Sequence, residues 1–247
     1  MNGLLLLAVT AAGVGFLHTL VGPDHYLPFV VLRRARGWSW RRTAAITTLC
    51  GGAHVLSSVA LAAVGAALGV AVTRLLAIET ARGELAAWAL VAVGAVYAAW
   101  GLRRALRGDR HVHLHPHPVA HAHAHDGAAH THHGHPHPPR HEQPPAEGGP
   151  GGKPSLTPWM LFLVFVLGPC EPLIPLMLAS GAAGSVAAAT VVAISYGVAT
   201  LVAMLAAVWV GSAGVSRLPL GRLEPYTHAL AGGAICVSGL GMVFLGW

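Results

Sequence analysis

Six stretches of this chain, at about residues 3–32, 43–73, 85–106, 156–180, 184–212 and 226–247, are long, apolar and almost free of charge. Each reaches or exceeds the ~20 apolar residues that cross the hydrocarbon core of a bilayer. No water-soluble core of a chain this size can enclose all of that surface. The composition agrees, with 54% hydrophobic and only 10% charged residues, far from the balance of ordinary soluble domains. Inside lipid the backbone must satisfy its own polar groups, so the expected fold is all-α. The opening MNGLLLLAVTAAG resembles a signal peptide. It lacks a basic leader, however, and its apolar run continues into His18 and Asp24, so a retained helix is expected.

The charges that remain are segregated, and they orient the chain. Arg33, Arg34, Arg36, Arg41 and Arg42 follow the first span, Arg103, Arg104, Arg107 and Arg110 the third, and Arg217 and Arg222 the fifth. Residues 74–84 balance Arg74 and Arg82 against Glu79 and Glu84, and 181–184 carry no charge. All basic-rich loops then lie on one side, which the positive-inside rule makes the cytoplasm. The expected location is the cytoplasmic (inner) membrane, multi-pass, with both termini outside. The net charge of +6 is read as this topology signal, and no nucleic-acid partner is expected.

The chain contains an internal echo. FLHTLVGPDHYLPF (16–29) returns as FLVFVLGPCEPLIP (162–175), placing Gly168-Pro169 on Gly22-Pro23, Cys170 on Asp24 and Glu171 on His25. This divides the chain into two three-helix units, 1–107 and 156–247, joined by a loop over 108–155. An odd number of spans per unit forces the second copy to enter from the opposite face, the inverted-repeat plan of many transporters. Proline removes one helical N–H and clashes with the carbonyl four residues back. The first helix of each unit is therefore expected to break at its Gly-Pro pair. Such freed backbone survives at membrane depth only where protein or a polar cavity covers it.

The first break carries the chemistry. An Asp at the centre of a span costs about 2.5–3.5 kcal/mol on insertion scales, so Asp24 between His18 and His25 marks a functional site. Carboxylate and imidazole together form a transition-metal ligand set. In an unbroken helix His18 and His25 would stand about 10 Å apart along the axis, too far for one metal with ligands at about 2.1 Å. An unwound turn at Gly22-Pro23 could draw them together; otherwise they would be successive stations on a path. His54, beside Gly51 and Gly52 in the next span, is a third candidate. Glu171 could be a ligand, an acceptor orienting a histidine, or a proton carrier. Cys170 is a candidate soft ligand or a small residue at a tight crossing, and His228 reads as interfacial.

HTLVGPDH, a His separated by five residues from Asp-His, resembles the signature helix of the NicO/RcnA-like nickel/cobalt transporters, and GGAHVLSS resembles the Gly-and-His motif of the helix that follows it. The resemblance, within the LysE-type superfamily of paired three-helix units, implies transport of Ni²⁺ or Co²⁺ across the cytoplasmic membrane. It also implies His18, Asp24, His25 and His54 as site residues. Members of the family commonly carry a His-rich stretch as well.

Such a stretch is present here. His111, His113, His115, His117, His121, His123, His125, His130, His132, His133, His135, His137 and His141, thirteen of the chain's seventeen histidines, lie among Pro, Ala and Gly. With too little apolar content to fold alone, 108–155 is expected to be disordered, cytoplasmic and metal-chelating, which favours export. Nickel and cobalt are the expected cargo, with zinc and copper suiting the same donors. No resident cofactor, no enzymatic activity and no partner beyond metal and bilayer are expected; a homo-oligomer is compatible. Two other readings are an exporter of another small solute in the superfamily and a thiol–disulfide electron carrier of the CcdA/DsbD type. The latter would need two cysteines that meet, whereas Cys50, Cys170 and Cys236 are isolated. An HExxH protease motif is absent.

Overall fold

A computed structural model describes residues 2–107, 112–114, 122–124, 156–182 and 185–245. Among the described residues eight α-helices carry the fold: α1 (Asn2–Val21), α2 (Leu27–Arg36), α3 (Trp40–Ala67), α4 (Val72–Arg107), α5 (Leu156–Leu167), α6 (Leu173–Ala182), α7 (Val186–Ser216) and α8 (Thr227–Leu245). A single 3₁₀ turn at Pro23–His25 precedes α2, and a six-residue 3₁₀ segment at Gly221–Tyr226 precedes α8. Five helical segments, Gly3–Val21, Trp40–Ala67, Val72–Arg107, Val186–Ser216 and Leu223–Leu245, are long and apolar enough to cross a membrane. The stretch expected as a span over 156–180 instead forms two short helices, α5 and α6, on either side of Gly168-Pro169.

The helix ends follow local chemistry. Ser39 caps α3 by accepting from the Arg42 N–H, and Ser185 caps α7 by accepting from the Ala188 N–H, each satisfying a donor the first turn leaves free. Gly37 ends α2 with φ of +62°, the left-handed conformation glycine adopts without strain. Residues 74–84, expected as a loop, are instead the first turns of α4. Leu75, Glu79, Ala86 and Leu90 are buried along one face at helical spacing. The real connection from α3 is only 68–71.

Surface and interior are arranged for lipid. Leu5, Leu6, Val21, Leu56, Val96, Val198, Trp209 and Phe244 are each more than half exposed, large apolar side chains of the kind that monomeric soluble proteins rarely expose in patches. The buried set includes Thr19, Thr47, His54, Ser58, Glu79, Thr200 and Ser238. Among the described residues, five long apolar helices with this exterior are compatible with a multi-pass membrane protein.

Small residues set the packing. α4 and α8 cross antiparallel, with Gly94 against the Cys236 backbone, Gly101 against His228 and Ala229, and Gly232 against Ala98. α1 runs parallel to α7, Gly15 lying on Tyr196 and Thr200. α2 continues that course: Val30 lies on Gly211 and Arg34 donates to the carbonyls of Val215 and Leu218. On the other side α5 and α6 follow α3 in the same sense, with Gly168 beside His54 and Ile174 clustered with Ala62. The main apolar cluster, including Phe29, Leu32, Leu90, Phe165, Met204 and Ile235, joins both halves of the chain.

Most of the His-rich stretch lies outside the described residues. The part described is an antiparallel pair of three-residue strands, Val112–Leu114 and Ala122–Ala124, in which His113 stands opposite His123. The expectation of disorder over 108–155, and eleven of its thirteen histidines, otherwise fall outside the described residues.

Candidate metal centre

The break after α1 builds the centre. Pro23 offers no N–H to continue the helix. The chain therefore tightens into one 3₁₀ turn, held by His25 N–H to Gly22 O (3.2 Å) and Tyr26 N–H to Pro23 O (3.3 Å). That turn draws His25 back towards His18, and their ring centroids are 4.8 Å apart. His54 comes in from α3, its centroid 5.1 Å from that of His25. One donor atom from each of His18, His25 and His54 lies within 4.8 Å of the others.

The ring nitrogens are differentiated by their neighbours. His25 Nδ1 is 3.1 Å from Gly22 O and 3.3 Å from Asp24 Oδ2. His54 Nδ1 is 3.3 Å from Phe165 O. Carbonyl and carboxylate oxygens only accept, so both Nδ1 atoms carry a proton, which in the neutral ring leaves the lone pair on Nε2. A ligating histidine commonly has this arrangement, its other ring nitrogen fixed by a carbonyl or carboxylate. His18 Nε2, His25 Nε2, His54 Nε2 and Asp24 Oδ1 are all buried without a hydrogen-bond partner. An unsatisfied buried polar atom costs about 1–3 kcal/mol, so the three clustered imidazoles, with Asp24 beside His25, favour a species that satisfies their free ring nitrogens. A cation does so.

Two spaces adjoin the cluster. A cavity of about 20 Å³ lies among Asp24, His25, His54, Phe165, Gly168 and Met242, just above the roughly 10–15 Å³ that one water needs. A larger one of about 630 Å³ is bordered by His18, Asp24 and His25, by Thr80, Gly83 and Glu84 of α4, by Pro169, Glu171 and Pro172 at the second break, and by Met242 and Val243 of α8.

Gly22 is required here for space. Its φ of −87° is ordinary, but a β-carbon would sit 2.7 Å from His25 Nδ1 and 2.8 Å from Asp24 Oδ1. Gly22→Ala is expected to displace both side chains while leaving the helices intact. A loss of metal affinity of at least tenfold with unchanged circular dichroism would be the signature; wild-type affinity would mean that those side chains are not ligands.

The other candidates lie elsewhere. Glu171 is exposed on the rim of the larger cavity, outside the imidazole group. Cys170 is fully buried, and its S–H donates to Tyr196 Oη (3.4 Å). Cys50 belongs to a different apolar cluster from Cys170, and all three cysteines are free. His228 pairs with Tyr97, Nδ1 to Oη at 2.8 Å. Sequence reasoning missed two features, the Phe165 carbonyl beside His54 Nδ1 and the ion pair of buried Glu79 with half-buried Arg82. A carboxylate and a guanidinium three residues apart on one helix were the available signal.

No family model, curated protein or solved structure matches this chain. Function is therefore read from the site.

Proposed function

We propose that this chain is a transmembrane transporter of divalent transition-metal cations, nickel and cobalt foremost, working as an exporter from the cytoplasm. The observation that carries it is the meeting of one ring nitrogen from each of three imidazoles within 4.8 Å in the interior of an apolar helical protein, with the carboxylate of Asp24 beside His25. Nitrogen-rich donors of this kind suit nickel, cobalt, copper and zinc, whereas magnesium and calcium prefer all-oxygen sites. The metal is cargo, so tight permanent coordination is not needed. Donors up to 4.8 Å apart must approach to about 3.4 Å around a tetrahedral ion with 2.1 Å bonds. Binding thus pulls α1, the Pro23–His25 turn and α3 together, and separating them again lets the ion go.

The proposed architecture has six crossings in two inverted three-helix units, with the two broken crossings α1–α2 and α5–α6 in equivalent places. Several packing relations support it. α1–α2 runs parallel to α7 as α5–α6 runs parallel to α3, and α4 and α8 cross antiparallel, as the last helices of two inverted copies do when they meet on the pseudo-twofold axis. The arginine-rich ends then face the cytoplasm, and the histidine arm would gather metal there. Ligands must be deprotonated to hold metal, so protonation from the outer face assists release.

The deciding measurement is the flux of radioactive nickel and cobalt in right-side-out and inverted vesicles containing purified protein. Accumulation in inverted vesicles is expected for an exporter, falling as the internal pH is raised above neutral. Equal leak in vesicles with and without protein would overturn the proposal, and accumulation only in right-side-out vesicles would reverse its direction.

A further inference from the structure

The first turns of α4 hold a charged network that the metal centre alone does not explain. Glu79 is fully buried, and Arg82 Nη1 donates to its Oε2 at 2.6 Å. Arg82 Nη2 reaches out of the helix in two directions, donating to Ser57 Oγ on α3 (2.8 Å) and to the Val166 carbonyl on α5 (2.7 Å). Removing a charged pair from water carries a large desolvation cost, repaid only when the geometry is good and further hydrogen bonds satisfy the remaining donors. Here one of the further bonds falls on α3 and the other on one particular place, the C-terminal end of α5.

That end has two carbonyls to satisfy. Pro169 has no N–H, so Phe165 O loses the partner that would lie four residues on. The helix stops at Leu167, so Val166 O is likewise left without Cys170. The two adjacent carbonyls are taken from outside: His54 Nδ1 lies on Phe165 O (3.3 Å), shared with the Gly168 N–H (3.2 Å), and Arg82 Nη2 on Val166 O. A β-carbon on Gly83, the next residue of α4, would lie 2.8 Å from Pro169 Cγ, so the same turn of α4 presses on the break. Arg82 and His54 thus grip neighbouring peptide groups of one short segment. The position of the first sets the position of the acceptor for the second.

We propose that Arg82, fixed by Glu79, is a positioning residue for the cation site. By holding Val166 it keeps Phe165 O beneath His54 Nδ1, and so aims His54 Nε2 at His25 and Asp24. The inference rests on reading the histidine cluster as a cation site. It adds that the site depends on a residue that touches neither the ion nor any of its ligands.

The test uses the full-length chain with the thirteen loop histidines replaced by serine, so that bound Co²⁺ reports only the buried site. Affinity and the visible d–d spectrum are followed on titration. This parent is expected to bind one Co²⁺; binding none would overturn the cation-site reading itself, and this inference with it. Given binding by the parent, Arg82→Gln is expected to weaken Co²⁺ by at least tenfold and to change the d–d spectrum, because His54 is misdirected. Arg82→Lys, which keeps one donor towards Val166, should recover part of both. Since Arg82→Gln strands a buried carboxylate, the double variant Glu79→Gln/Arg82→Gln serves as the charge-neutral version and should show the same spectral change. Adding His54→Ala to Arg82→Gln should cost less than His54→Ala costs alone, the coupling expected of two groups in one network. Wild-type affinity and spectrum in the folded double variant would overturn the proposal. So would failure of every Arg82 variant to fold, which would make the residue purely structural.

Discussion

Asp24→Ala is expected to abolish metal resistance in a sensitive host while the protein remains folded and inserted. Among the described residues Asp24 is the carboxylate paired with the imidazole cluster, with Oδ2 at 3.3 Å from His25 Nδ1 and Oδ1 buried and unpartnered. Without it a divalent cation would face three neutral rings in a low-dielectric interior, with no negative charge to offset the loss of its water shell. It also withdraws one of the two acceptors that fix the His25 tautomer, leaving only Gly22 O. Loss of such an orienting partner alone costs roughly 10–100-fold in metal affinity, and loss of the charge adds to it. Removal of the side chain opens no large apolar gap, so insertion should survive. Asp24→Asn keeps the shape and an acceptor but not the charge, and should behave much as the alanine variant does. Export of nickel or cobalt at wild-type rates by either variant would remove Asp24 from the site.

The parts of this arrangement that were legible in the sequence are those dictated by covalent chemistry. A proline within an apolar run must break its helix, and both Gly-Pro pairs do so, at Gly22-Pro23 and at Gly168-Pro169. The first break also resolves the separation of His18 and His25, which a straight helix would hold apart. Symmetry was a poorer guide to chemistry. Cys170 and Glu171 stand where Asp24 and His25 stand in the first unit, yet Cys170 turns to Tyr196 and Glu171 to the cavity rim. An echo in sequence aligns positions, whereas each side chain answers to its own neighbours. Residues 74–84 went astray for a different reason. Four charged residues in eleven look like a loop when each is assumed to need water. In fact Glu79 and Arg82 pair on a single helix face through Glu79 Oε2, and Ser57 and Val166 O take the other guanidinium bonds, while Glu79 Oε1 stays unpartnered. That partnership depends on α3 and α5 arriving from distant parts of the chain.

Gly232→Val is expected to prevent the protein from folding stably, whereas Gly233→Val, one residue on, should be tolerated. A β-carbon at Gly232 would collide with the backbone N and Cα of Ala98 on α4, and Gly94 meets the N and Cα of Cys236 on α8 in the same way. These are backbone atoms, which cannot rotate aside. At Gly51, by contrast, the nearest atoms are the ends of the Met204 and Leu201 side chains, which can. Overpacking a core ordinarily costs about 1–3 kcal/mol; here the helices themselves must separate, so the cost lies at or above that range. Close approach through small residues is also the chief attraction available to helices in lipid, where no hydrophobic force acts between them. Gly233 has open space around its missing side chain and controls for the insertion of valine as such. The melting midpoint and elution profile of the two variants in detergent provide the comparison. Equal midpoints would mean that α4 and α8 do not cross at this point. The consequence would extend to the site, because the larger cavity beside His18, Asp24 and His25 is walled by Thr80, Gly83 and Glu84 of α4 and by Met242 and Val243 of α8, and its shape depends on where those two helices meet.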